Sequence, residues 1–300
     1  MASARGMTVN EENRRERPLH RSFVLHGFIL AMLVIYAAPI IGVLITSVMS
    51  NAEISARGVW HIPEDANLQN FFDVWNDTPT PRYLLNSFMV TIPATLLSVL
   101  GGVLLGYVFS QFKVPFAELL FLVVIAGMFF PPQATLIPLF RMFNSPVEIL
   151  GFELIPALYD TVYPMILIHM SIGLAITTLL MRNFMSALPS GLREAAIVDG
   201  AGEWSVLFRI IVPLSLPALA VLATLQFTWI WNDFLWPLVL TRSEEAKTIM
   251  AGISALQGQY NVAWANQAAM AVIASIPTVV IFIVFQRYFI AGLTMGSVKE

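Results

Sequence analysis

The stretch Glu194-Ala195-Ala196-Ile197-Val198-Asp199-Gly200-Ala201 is a short polar segment set between apolar runs at about 161–182 and 207–236. Each run is longer than the roughly 20 predominantly apolar residues that a helix needs to cross a bilayer. Pro189 and Ser190 can open a helix here, the serine hydroxyl capping free backbone N–H groups and Glu194 favouring the positive end of the dipole. Leu192, Ala195 and Ala196 share one face at i, i+3, i+4 spacing, where alanines allow another surface to approach closely. Gly200 can take the left-handed conformation that ends such a helix, and a second helix is expected from about Gly202 through Trp204 and Phe208. On composition alone the segment is an ordinary turn between two membrane helices.

Working outward, further apolar runs at about 23–49, 84–110, 117–142 and 267–290 bring the total to six. Hydrophobic residues make up 57% of the chain and charged residues 12%, with a mean hydropathy of +0.75, a balance that places the chain in a membrane. Runs of this length without period-two alternation exclude barrel strands. The expected fold is therefore all-α, a polytopic membrane protein of six transmembrane helices. Residues 1–22 would form a tail, 23–290 the bundle with the polar helix at about 190–204, and 291–300 a second tail. The first run is longer than a signal-peptide core and reads as an uncleaved anchor.

Of the sixteen lysines and arginines, eleven fall in segments on the side of the N-terminus, among them Arg14, Lys113, Arg182 and Arg193. Five, Arg57, Arg82, Arg141, Arg242 and Lys247, fall on the other side. By the positive-inside rule both termini and the polar helix are cytoplasmic. The net charge of -3 provides no basic field for nucleic acid. The absence of cysteine excludes disulfides and thiolate metal sites. Pro39, Pro93, Pro131-Pro132, Pro138, Pro213, Pro217 and Pro277 each remove a helical hydrogen bond and mark expected kinks. The sequence contains no phosphate-binding G-x-x-x-x-G-K-[ST] loop, no metal-ligand spacing of His, Asp and Glu, and no nucleophile paired with a base.

Glu194-Ala195-Ala196, Asp199-Gly200-Ala201, Phe208, Ile210, Pro213 and Pro217, in this order and spacing, resemble the EAA loop of permease subunits of ATP-binding-cassette importers. Val212 stands where that family usually has leucine. The closing segment Gln286 to Glu300, with Trp229-Ile230-Trp231-Asn232-Asp233-Phe234 and the loop near Gly252–Trp264, is similar to the second permease of carbohydrate importers of the maltose-transporter type. The likeness covers most of residues 82–300.

The resemblance implies a type I importer permease bundle working by alternating access in an inner membrane. It implies pairing with a second permease as a heterodimer, two cytoplasmic ATPase subunits that use ATP and Mg, an extracytoplasmic solute-binding protein, and a sugar substrate. The chain itself would bind no cofactor and catalyse no reaction. Arg193, Glu194, Ala195, Ala196, Asp199 and Gly200 would then couple to the ATPases, with contacts from Gly292, Thr294 and Lys299 in the tail. Gly252, Gly258, Tyr260 and Trp264 would meet the binding protein.

Candidate pathway residues are Asn86, Gln133, His169, Trp229, Trp231, Asn232 and Asp233. The tryptophans, Asn232 and Asp233 suit sugar contact or an interfacial aromatic belt. His169 either lines a cavity or bonds to a neighbouring helix, and Asn86 and Gln133 are pathway groups or interhelical glue. Residues 50–83, acidic and aromatic, form either an interfacial belt or a surface for an external partner. The rival function is an ion-gradient-driven secondary transporter, which requires a buried acidic ion site at mid-membrane.

Overall fold

The computed structural model describes residues 19–149, 152–189, 191–257 and 263–295. The first long helix, α1 (Leu19–Ser47), carries Pro39 without breaking. The segment after it folds as two short helices, α2 (Asn51–Arg57) and α3 (Gln69–Asn76). The Ser50 hydroxyl caps α2 by accepting the Glu53 N–H at 3.1 Å. The segment is tied back to α1 by Asn70, whose Nδ2 donates to the carbonyls of Ser47 and Met49 at 2.9 and 2.8 Å.

The helices α4 (Thr80–Gln111) and α7 (Tyr163–Ser186) form the most extensive helix pair. Small residues set their separation. A Cβ on Gly106 would come within 2.7 Å of Met181 Cβ, and one on Gly173 within 2.7 Å of Ser98 Cβ. Thr177 crosses the contact by donating to the Ser98 carbonyl at 2.7 Å, a polar bond of the kind that joins membrane helices.

Between α4 and α7 the apolar run expected as one span is two helices, α5 (Ala117–Ala126) and α6 (Pro132–Phe143), joined by a 3-10 turn at Gly127–Phe129 and bent by 95°. The cause is the Pro131-Pro132 pair. Phe130 and Pro131 are extended, as the residue preceding a proline prefers, and Pro132 restarts the helix at its first turn. A short antiparallel hairpin, β1 (Val147–Ile149) and β2 (Phe152–Ile155), follows. It is a small departure from the all-α expectation.

After α7 come the polar helix α8 (Gly191–Val198) and then α9 (Glu203–Val206), a π-helical turn at Leu207–Ile211, α10 (Val212–Leu214) and α11 (Leu216–Trp231). The chain bends by 77° at Ser215, between Pro213 and Pro217, which lack the N–H groups that would carry the ladder through. The Ser215 N–H is shared between the Ile211 and Val212 carbonyls at 2.9 and 3.0 Å. Helices α12 (Leu235–Leu240), α13 (Ile249–Ala255) and α14 (Trp264–Met295) complete the chain, with Pro277 inside α14.

Among the described residues, four helices are thus continuous and apolar enough to cross a membrane, and the number reaches six when each bent pair counts as one span. Isolated Pro39, Pro93, Pro138 and Pro277 leave their helices unbroken. Only the paired and near-paired prolines break the chain. Among the described residues the buried core forms four clusters. One, with Tyr107, Met181, Met185 and Leu207, sits beneath α8. Another, with Tyr83, Trp231, Ile249 and Met270, lies at the opposite end.

Candidate functional site

Helix α8 ends as its glycine predicts. Gly200 has φ +84°, the Ala201 N–H donates to the Ala196 carbonyl at 2.9 Å, and the Gly200 N–H donates to that of Ile197 at 3.0 Å. These are the two bonds of a Schellman closure. Ser190 lies outside the described residues. Glu194, Ala195, Asp199 and Gly200 face outward.

Two of the expected coupling residues turn inward, which corrects the sequence reading of that face. Ala196 is buried against the cluster beneath α8. The Arg193 guanidinium pairs with Glu203, its Nε donating to Oε2 at 3.2 Å. It also lies 4.7 Å over the Phe112 ring. The Tyr107 hydroxyl donates to the same carboxylate at 2.8 Å. Arg193 and Glu203 therefore clamp α8 and α9 onto the end of α4.

Glu203 and Tyr107 were not singled out from sequence. An opposite charge ten residues from Arg193 across a glycine hinge is a weak sign of Glu203, whereas Tyr107 is brought in only by the tertiary fold. Beside Glu194 and Asp199, α8 and α9 leave large apolar side chains outward: Leu192, Ile197, Val198 at 86% exposure and Trp204 at 68%, the last stacked on Phe208 with centroids 5.9 Å apart. Large apolar side chains exposed beside carboxylates at the polar end of a membrane bundle suit a protein-docking surface.

The candidate pathway residues separate. His169, Trp229 and Asp233 line one cavity of about 200 Å³ together with Gln226, Gly173 and Phe130 from the α5–α6 bend. His169 is 7% exposed, with Nε2 3.3 Å from Asp233 Oδ2, so cavity lining and bonding to a neighbouring element hold together. Asp233 also accepts the N–H groups of Leu235 and Trp236, both at 3.2 Å, and so starts α12. Gln226, on α11, was not singled out from sequence, although its position inside an apolar run was the available sign.

The remaining candidates lie elsewhere. Trp231 is core, its Nε1 donating to the Ala274 carbonyl at 2.9 Å and its ring stacked with Phe227. Asn86 is glue, its Nδ2 donating to the Glu245 and Lys247 carbonyls, both at 2.8 Å. Asn232 bonds back to the Thr228 carbonyl at 2.8 Å, and Gln133 is exposed on α6. None of these four lines the cavity.

Among the expected binding-protein contacts, Gly252 is buried under the Tyr83 ring, where any side chain would collide. It is a packing residue and is corrected as such. Trp264 is half-exposed at the start of α14, and Gly258 and Tyr260 fall outside the described residues. Backbone helix α14 continues through Gly292 and Thr294 to Met295, and Lys299 falls outside the described residues. The end that carries Gly252 and Trp264 is braced by Asp160, whose Oδ1 accepts the backbone N–H groups of Arg242 and Ser243 at 2.7 and 2.9 Å. Burial works to raise this carboxyl, but those bonds outweigh it and hold it below the usual carboxylate range.

A family model described as binding-protein-dependent transport system inner membrane component matches residues 98–294. The osmoprotective compounds uptake permease GgtD of Synechocystis is 33% identical over 97% of this chain and 99% of its own length. A probable ABC transporter permease of Pyrococcus horikoshii is 32% identical over 87% of this chain and 92% of its own. The diacetylchitobiose uptake system permease NgcG of Streptomyces coelicolor is 28% identical over 92% of this chain and 88% of its own. Among solved structures, a chain of a bacterial ABC transporter involved in import of the acidic polysaccharide alginate superposes with a TM-score of 0.73 at 23% identity, covering 91% of this chain and 98% of that one.

Proposed function

Because the chain belongs to the family of binding-protein-dependent transport system inner membrane components, we propose that it is a permease subunit of an ATP-binding-cassette importer for a sugar or sugar derivative. The observation that carries this reading is the exposure of Leu192, Ile197, Val198 and Trp204 on α8 and α9, the first closed by Gly200 and both clamped to α4. Such a surface suits a groove on an ATPase, and the clamp makes α8 and α9 a lever rather than a loose loop. The relatives' names support a small osmolyte or sugar cargo.

In this reading Glu194, Ala195, Asp199 and Gly200 meet the ATPase with Ile197, Val198 and Trp204, while Arg193 and Ala196 hold the helix to its own chain. A second permease, as a heterodimer, two ATPases and a solute-binding protein complete the transporter. The ATPases use ATP and Mg, and this chain binds no cofactor of its own. Both termini are cytoplasmic, the segment from Gly292 to Lys299 reaches the ATPases, and the loop of Gly258, Tyr260 and Trp264 meets the binding protein. Nucleotide-driven closure of the ATPases pulls α8, and the bundle moves between inward and outward openings. An ion-gradient carrier would need a free acidic site at mid-membrane, and Asp233 is instead spent on starting α12 and on His169.

The test is a nanodisc pull-down of the tagged chain from its native host, with mass spectrometry and assay of substrate-stimulated ATP hydrolysis. Recovery of an ATPase, a second permease and a binding protein is the expected result. Recovery of the chain alone, still transporting without ATP, would overturn the reading.

A further inference from the structure

Gln226 is 6% exposed, lines the cavity that His169 and Asp233 share, and has no hydrogen-bond partner among the described residues. The backbone opposite makes room for it: a Cβ on Gly173 would come within 3.0 Å of its Oε1. The amide is not sealed off but faces the cavity, where a polar occupant can bond it. An amide both donates and accepts, and a hydroxyl does the same. Trp229 adds an aromatic surface to the same lining.

The charge of the cavity is equally specific. Among the described residues its lining holds no lysine or arginine, and Asp233 is its one carboxylate. The nearest group able to carry positive charge is His169, 3.3 Å from Asp233. A protonated His169 would only balance that carboxylate, so neither form leaves a surplus cation to receive an anionic ligand. With His169 neutral, the net charge of Asp233 opposes a second anion, and with His169 protonated the pair is neutral and still offers an anion no counter-charge.

We propose that this cavity binds a neutral, hydroxyl-rich portion of the cargo, with Gln226 bonding its hydroxyls and Asp233 turning away carboxylated or sulfonated sugars. The proposal rests on the importer reading above. The likeness to the importer of an acidic polysaccharide extends to the fold only, and it does not set the charge of the cargo here.

The test uses the whole transporter, isolated from its native host through this chain and reconstituted in vesicles. Uptake is measured separately for trehalose, maltose and raffinose, and for glucuronate and galacturonate. ATP-dependent uptake of at least one neutral sugar and of neither acid is expected. For the sugar transported, Gln226→Leu should lower kcat/KM roughly tenfold or more at equal subunit stoichiometry, because the site's bond to a hydroxyl is lost. Gln226→Asn should recover part of it, and Asp233→Asn should admit glucuronate. Uptake of either acid by the unmodified transporter would overturn the proposal and leave sugar import standing. Undiminished transport by Gln226→Leu would remove Gln226 from the site. Failure of all five sugars to enter with ATP would overturn the sugar-import reading, and this proposal with it.

Discussion

At the scale of single residues, two glycines are required for unrelated reasons, and substitution separates them. Gly106 is a packing residue: an added Cβ would lie 2.7 Å from Met181 Cβ and 2.9 Å from the Arg182 backbone nitrogen. Neither neighbour is a flexible side-chain end. Gly106→Ala should therefore cost about 1–3 kcal/mol by overpacking the α4–α7 contact, read as a lower midpoint of thermal unfolding in detergent. Gly27→Ala, with nothing within 4 Å, is the matched control and should leave the midpoint unchanged or raise it. Gly200 also has open space around it, but its φ is +84°. Gly200→Val should cost about 1–2 kcal/mol through backbone strain alone, loosen the end of α8, and weaken ATPase capture in a pull-down. Full capture and transport by this variant would remove α8 from the coupling role.

At the scale of elements, the clamp of Arg193, Glu203 and Tyr107 fixes the angle between α8 and α4. The pair is partly exposed, so screening leaves it about 1 kcal/mol, enough to narrow an ensemble without deciding the fold. With spin labels at Val198→Cys and Lys113→Cys, Glu203→Ala should broaden the distance distribution, and the charge exchange Arg193→Glu with Glu203→Arg should narrow it again. An unchanged distribution in Glu203→Ala would mean that packing of Ala196 and Leu207 alone holds the lever. At the other end, Asp160 joins the approach to α7 to the α12–α13 loop. Its carboxyl is lowered, so the stabilisation is complete above the unfolded carboxylate value near pH 4 and is lost as pH falls through the lowered folded value. Asp160→Asn should unfold at a lower temperature than the parent at pH 7. The gap should close as the pH drops below about 4, and a gap independent of pH would show that the charge contributes nothing. Composition reveals neither tie, because Asp160 and Arg242 are 82 residues apart and Tyr107 and Glu203 are 96 apart.

At the scale of the whole molecule, hydropathy and charge placed the segments, and tertiary packing decided what they do. The apolar runs were legible because a span must be apolar along its length. The 95° bend at Phe130–Pro132 was not, because hydropathy averaged over a window carries no direction. The same blindness ranked Trp231 with Trp229, although two positions along one helix turn them to opposite sides, the first into the core and the second to the cavity. The ends of the helices sort into two sets. The close of α1 meets Asn70, the start of α14 donates from the Ala265 N–H to Asn51 Oδ1 at 3.1 Å, and the start of α4 meets Glu244. The close of α4 meets α9 and, through Gln111 and the Met185 carbonyl, the close of α7 at 3.3 Å. Arg182 and Arg193, which the positive-inside rule assigns to the cytoplasm, belong to this second set. The absence of cysteine makes the orientation directly measurable. Trp264→Cys, half-exposed at the first end, should react with a membrane-impermeant maleimide on intact cells from which any outer barrier has been removed. Val198→Cys, the more exposed of the two, should react only after the membrane is opened. The reverse pattern would invert the molecule and place α8 out of reach of any cytoplasmic ATPase.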